Sequence, residues 1–161
     1  MSRINKETDY SAHQSFVMLE TAKLLKLAGF DWEVLTFYQE ARVDLPFEMD
    51  NCELHGIIEE RDYNHFVSNK YNPNDREYFS APPLAVAQRW LREVHHVSVE
   101  GGYARRTDNY VTIVIVPRSL EDLFGQNFEI GVQARDFSSY EEAVEWGIEF
   151  VLKALLKGGE Q

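Results

Sequence analysis

The chain has 161 residues, of which 44% are hydrophobic, and its 27 acidic and 16 basic side chains leave a formal net charge of −11. That hydrophobic fraction supports one packed core and excludes disordered, collagen-like and low-complexity chains, while the negative charge disfavours a sequence-independent nucleic-acid binder. Cys52 is the only cysteine, so no internal disulfide forms, and the apolar runs such as Val111 to Val116 are strand-sized, far below the roughly 20 residues a membrane-crossing helix needs.

Residues 1–15 read as a polar tail. Met1 to Glu7 carries Arg3 and Lys6 with no apolar stretch behind it, unlike a secretory or transit signal, so a cytoplasmic location is expected. Ala22, Leu25 and Ala28 then share a stripe flanked by Leu24 and Leu27, with Lys23 and Lys26 facing away. This spacing predicts a helix over 19–28, stopped by Gly29. Trp32 to Gln39 is rich in β-branched and aromatic residues and reads as a strand, with Val43 to Met49 as its hairpin partner and Pro46 suited to an edge. Residues 50–77 show no clean period and are rich in Asn, Asp and Glu. They read as a long acidic loop with room for one short helix.

Ser80-Ala81-Pro82-Pro83 reads as a helix start, a hydroxyl followed by prolines where no intrahelical donor is needed. Leu84, Ala87, Leu91 and Val94 recur at helical spacing and predict a helix over 82–94. Val97 to Glu100 alternates as a strand interrupted by Gly101-Gly102, a turn at 107–109 follows, and Tyr110 to Val116 is the clearest strand, closed by Pro117. Ser119 to Phe124 reads as a helical turn, and Phe128 to Ala134 as a third strand with Gly131 at a bulge. Ser139 and Glu142 frame a capping box opening a helix to about residue 156, acids early and Lys153 and Lys157 late, before Gly158-Gly159. The second half thus runs α-β-β-β-α. One α+β domain over 1–161 is expected, an antiparallel sheet of three to five strands packed by about three helices.

Three stretches carry a resemblance: Phe16 to Phe30, Ser80 to Val94, and Ser139-Tyr140-Glu141-Glu142-Ala143. Together, over about a third of the chain, the sequence resembles a family of small uncharacterised proteins common in phages and prophages of gut bacteria. The resemblance implies a mobile-element origin and brings no activity, cofactor or catalytic residue with it. The α-β-β-β-α order also resembles double-stranded-RNA-binding domains, but such domains place lysines at the start of the last helix, where this chain has Glu141 and Glu142. HicB-type antitoxins share the order as well, an analogy of topology alone.

No phosphate loop, nucleophile elbow, dinucleotide fingerprint or His-Glu-x-x-His helix is present, and no cofactor or metal is expected. His95 and His96 are adjacent, and neighbours in a strand point to opposite faces. They fit a helix-terminal cation and a packed ring better than a ligand pair. His55 and His65 with Cys52, Glu53, Glu59 and Asp62 match no zinc spacing and read as a solvated loop.

Arg89, Arg92, Arg105, Arg106 and Arg118 are the basic islands, and Trp90 falls at the margin of the Leu84-Ala87-Leu91-Val94 stripe. A half-exposed tryptophan beside arginines would be an interface hot spot. The leading expectation is therefore a non-enzymatic accessory protein that binds a protein partner or itself through Trp90, Arg89 and Arg92, with Arg105 and Arg106 as further candidates. One alternative is an acidic nucleic-acid mimic, since residues 31–80 hold 12 acids against 4 bases and residues 119–161 hold 9 against 3. A weaker alternative is a small enzyme using His95, His96 or His65.

Overall fold

A computed structural model describes residues 15–41, 54–66, 76–124 and 130–159. Helix α1 (Leu19–Leu27) buries Thr21, Ala22 and Leu25. It ends where the Phe30 N–H reaches back to the Leu25 carbonyl at 2.9 Å. Gly29 makes that reversal at φ 89°, a left-handed conformation that a side chain would strain.

Strand β1 (Val34–Ala41) is the centre of an antiparallel sheet of order β2-β1-β3, with β2 (Leu54–Arg61) on one side and β3 (Arg76–Ser80) on the other. The expected partner at 43–49 lies outside the described residues. Residues 54–61, read from sequence as acidic loop, are a strand instead. Ile57-Ile58 is too short an apolar run to reveal a period, and only the ladder with β1 shows its role. An irregularity between Val34 and Thr36 lets β1 bury both Val34 and Phe37, whose odd separation a regular strand would send to opposite faces.

Helix α2 (Leu84–His95) starts at Pro83 without a side-chain cap. Ser80 does not cap it. That residue belongs to β3, where its N–H donates to Asn64 Oδ1 at 2.9 Å, and the Leu84 N–H donates to the Ser15 carbonyl at 2.9 Å. The helix ends on His96 in the left-handed region, with the Val97 N–H bonded to the Leu91 carbonyl.

The second sheet, of order β4-β5-β6, comprises β4 (Ser98–Ala104), β5 (Asn109–Ile115) and β6 (Ile130–Phe137). β4 passes through Gly101-Gly102 unbroken, in register with Thr112 and Val111. A 3-10 turn (Arg118–Leu120) and the short helix α3 (Glu121–Phe124) follow β5. Helix α4 (Tyr140–Gly159) lies on this sheet and buries Ala143, Val144, Gly147, Ile148, Val151 and Leu152. Its approach is close because Gly147 has no side chain. A Cβ there would stand 2.5 Å from Thr112 Cγ2 and 2.6 Å from Val99 Cγ1.

The class is α+β, and the C-terminal order α2-β4-β5-β6-α4 is the expected one. The strands divide between two three-stranded sheets and do not form a single layer. One apolar cluster spans both, running from Leu25, Phe37 and Phe79 through Leu91 to Val114 and Ile148. α1 packs against both β3 and α4, and α2 against β4 and α4. No helix among the described residues is long and apolar enough to cross a membrane.

Candidate functional site

Because α4 spends one face on the second sheet, its other face is free to carry charge, and Glu141, Glu142, Glu145 and Glu149 recur there at helical spacing. These four, with Asp136 at the end of β6, line a cleft of about 620 Å³. Its apolar walls are Phe16, Met18, Leu84, Phe137 and Trp146. The near wall is fixed by backbone hydrogen bonds from Val17 N–H to the Pro82 carbonyl and from Leu84 N–H to the Ser15 carbonyl. Tyr38 adds a third from its hydroxyl to the Val17 carbonyl at 2.9 Å.

Glu145 joins the two walls. Its carboxylate accepts from the Met18 N–H at 2.9 Å and from the Thr21 hydroxyl. Burial pushes its pKa up, the two hydrogen bonds pull the other way, and the Glu149 charge adds to the rise. Glu142 is shifted down, because the Ser138 hydroxyl and N–H both donate to its ionised carboxylate, at 2.7 and 3.0 Å. The expected capping box is therefore split. Ser139 Oγ accepts from the Glu142 N–H, while the glutamate reaches back to Ser138 instead of Ser139.

Glu149 is paired with Lys153. Asp136 and Glu141 are exposed and have no ion-pair partner among the described residues. Trp146 stacks on Phe150 at 5.2 Å and meets Phe137 at 5.8 Å. Among the described residues no three His, Cys, Asp or Glu side chains converge on one point as a metal site requires. Dispersed carboxylates beside an aromatic wall suit an extended organic cation, held by ion pairs and by the ring face.

The sequence-derived interface does not assemble. Trp90 is 1% exposed, edge-on to Phe30 at 5.4 Å and to His95 at 4.8 Å. The residue expected at the margin of the apolar stripe is thus in the core, while Val94, expected inside, is 47% exposed. The reason is the turn Phe30–Trp32, which covers a second side of α2 and draws Trp90 inward. Arg89 and Arg92 remain at the surface. Arg89 pairs with Glu93 at 2.7 Å and lies over the Trp32 ring, and Arg92 is 3.6 Å from Glu100. Arg105 and Arg106 are exposed at the tip of the β4–β5 hairpin.

The histidines whose side chains the structure describes, His65, His95 and His96, lie apart from the cleft. His65 is exposed and its Nδ1 is 2.6 Å from Asp62 Oδ2. His95 is held below its ordinary pKa by burial and by the neighbouring His96, and His96 forms the left-handed cap. None of them lines the cleft. The four α4 glutamates were visible in the sequence as acids at helical spacing around Trp146, a pattern that equally fits a helix matched to its own dipole. Nothing in the sequence shows that Met18 and Thr21 close the recess against Glu145. Comparison with protein-family models, curated proteins and solved structures gives no match.

Proposed function

We propose that this protein is a non-enzymatic interaction protein of phage or other mobile-element origin, acting in the cytoplasm, whose cleft receives a lysine- or arginine-bearing segment of a protein partner. The observation that carries this reading is the pairing of the carboxylates with the Phe137–Trp146 wall in one recess. A guanidinium or ammonium at such a wall gains an ion pair worth about 0.2–1 kcal/mol and, together with it, a cation–π contact worth about 0.5–2 kcal/mol. The concave placement favours an inserted segment over mimicry of nucleic acid, which would display its carboxylates on a convex surface.

The test is calorimetric titration with short arginine-containing peptides and with uncharged peptides of equal length. Arginine peptides bind, and the double substitution Asp136→Asn with Glu141→Gln weakens them at least about tenfold, because both carboxylates are exposed and have no ion-pair partner among the described residues. Equal binding of charged and uncharged peptides, or indifference to the substitutions, rejects the reading.

A further inference from the structure

The β4–β5 hairpin carries at its tip the two arginines that the cleft's chemistry calls for. Ala104 and Asn109 are its last paired residues, and the turn is tightened by hydrogen bonds from the Thr107 and Asp108 N–H groups to the Ala104 carbonyl, at 3.2 and 2.9 Å. Asp108 sits in the left-handed region, and its carboxylate accepts from the Tyr103 hydroxyl. Tyr103 also meets Tyr110 edge-on at 5.4 Å. The tip is therefore ordered before any encounter, with its one acid engaged. Arg105 and Arg106 are exposed and make no ion pair among the described residues, and Tyr103 beside them is 53% exposed. An ordered basic loop flanked by tyrosine loses little conformational freedom on binding.

The strand register places this tip next to the cleft. Tyr110 of β5 is opposite Phe137 of β6, and Phe137 and Asp136 line the recess. A basic projection and an acidic recess thus lie side by side at one end of the second sheet, with no ion pair joining them within the molecule among the described residues.

We propose that the occupant of the cleft is the Arg105-Arg106 tip of a second copy of this chain, exchanged reciprocally about a twofold axis. This assignment rests on the cleft reading above and names its partner. Adjacency makes a reciprocal pair available: in the twofold arrangement each protomer's tip enters its partner's recess, both contacts are made at once and the pair is closed. Both copies carry −11, but at physiological salt repulsion is screened beyond about 8 Å, whereas contacting guanidinium–carboxylate pairs keep their bidentate hydrogen bonds. Arginine suits the site better than lysine because its planar fork matches a carboxylate and stacks on the Trp146 face.

Sedimentation velocity on the full chain tests this with two variants at exposed positions. One reverses the tip (Arg105→Glu with Arg106→Glu) and the other the cleft (Asp136→Lys with Glu141→Lys). The wild-type chain dimerises at submillimolar concentration, and each variant alone weakens the dimer at least about tenfold. An equimolar mixture of the two restores it, because both contacts of the mixed pair then join opposite charges. A monomeric wild type, a dimer indifferent to either variant, or a mixture that stays monomeric overturns the proposal. Arginine-peptide binding by a monomeric wild type sinks the second-copy assignment and leaves the cleft reading standing. A chain that neither binds peptide nor dimerises sinks both.

Discussion

Replacing Gly147 with alanine isolates the contact on which α4 seats. Two opposing effects compete. Alanine in place of glycine inside a helix is worth about 1 kcal/mol in intrinsic propensity. Against that, the new methyl would lie 2.5 Å from Thr112 Cγ2 and 2.6 Å from Val99 Cγ1, about 1 Å inside ordinary van der Waals contact. Both neighbours are fully buried β-branched residues on paired strands, so neither can rotate away cheaply. The helix must lift, and overpacking of this kind costs about 1–3 kcal/mol or more. Set against the propensity gain, the net loss is about 1–2 kcal/mol, which for a chain of this size lowers the melting temperature by about 2–8 °C. Urea denaturation followed by circular dichroism measures it. Gly158→Ala is the matched control. The clashing group there is the end of the Leu123 side chain, on a half-exposed residue that can move, so the helix-propensity gain survives and stability is unchanged or slightly raised. Adding Thr112→Ser to Gly147→Ala removes the nearest methyl while keeping the hydroxyl that donates to the Ala143 carbonyl at 2.6 Å, and it recovers part of the loss. A Gly147→Ala protein as stable as wild type, or a double variant less stable than the single, refutes the reasoning.

The buried carboxylate gives a second test. Burial raises the folded-state pKa of Glu145 above its ordinary 4.5. The native state therefore holds a proton that the unfolded chain has released, and the favourable contribution present below 4.5 is lost as pH rises through the raised value. Glu145→Gln removes this slope, so its stability against urea falls less than that of wild type between pH 4.5 and neutrality; identical pH profiles reject the assignment. Thr21→Val deletes the hydroxyl donor and costs about 2 kcal/mol at neutral pH, with a smaller cost in acid, where Glu145 is protonated. For His95 the sign is opposite. Its lowered folded pKa means that stability is full above 6.5 and declines as pH falls from there through the folded value, and His95→Phe flattens that decline in the same assay. Trp90→Ala destabilises by about 3–5 kcal/mol, as loss of a fully buried indole does. Had Trp90 been an exposed hot spot, the same substitution would leave melting unchanged.

Local chemistry made the second half of the chain readable. The Tyr110 to Val116 run, the Ser139-Glu142 helix start and the stripe of α2 all lie in elements with strong short-range patterns, and the α-β-β-β-α order followed from them. What stayed hidden depended on partners distant in sequence. β2 is a strand because β1 pairs with it, not because its own residues alternate. Trp90 is buried because Phe30 arrives from sixty residues upstream. The same holds for the cleft. Its glutamates were plain in the sequence, yet that Met18 and Thr21 complete a recess around Glu145 is set by the packing of α1 against α4. The arginines divided likewise: 89 and 92 are engaged by neighbouring acids, whereas 105 and 106, on a turn whose own acid is held by a tyrosine, make no ion pair among the described residues.

Helix α4 keeps its two duties on separate sides. The row inserted into the second sheet tolerates almost no change, since even one methyl at Gly147 has nowhere to go, whereas the outward glutamates make no contribution to that fit. Within the acidic row Glu145 holds Met18 and Thr21 and Glu142 holds Ser138, so it is at Glu141 and Glu149 that the charge pattern can be rewritten on an unaltered scaffold. In a lineage under pressure to change partners, the helix would act as an exchangeable keyface whose lettering drifts while its mounting stays put.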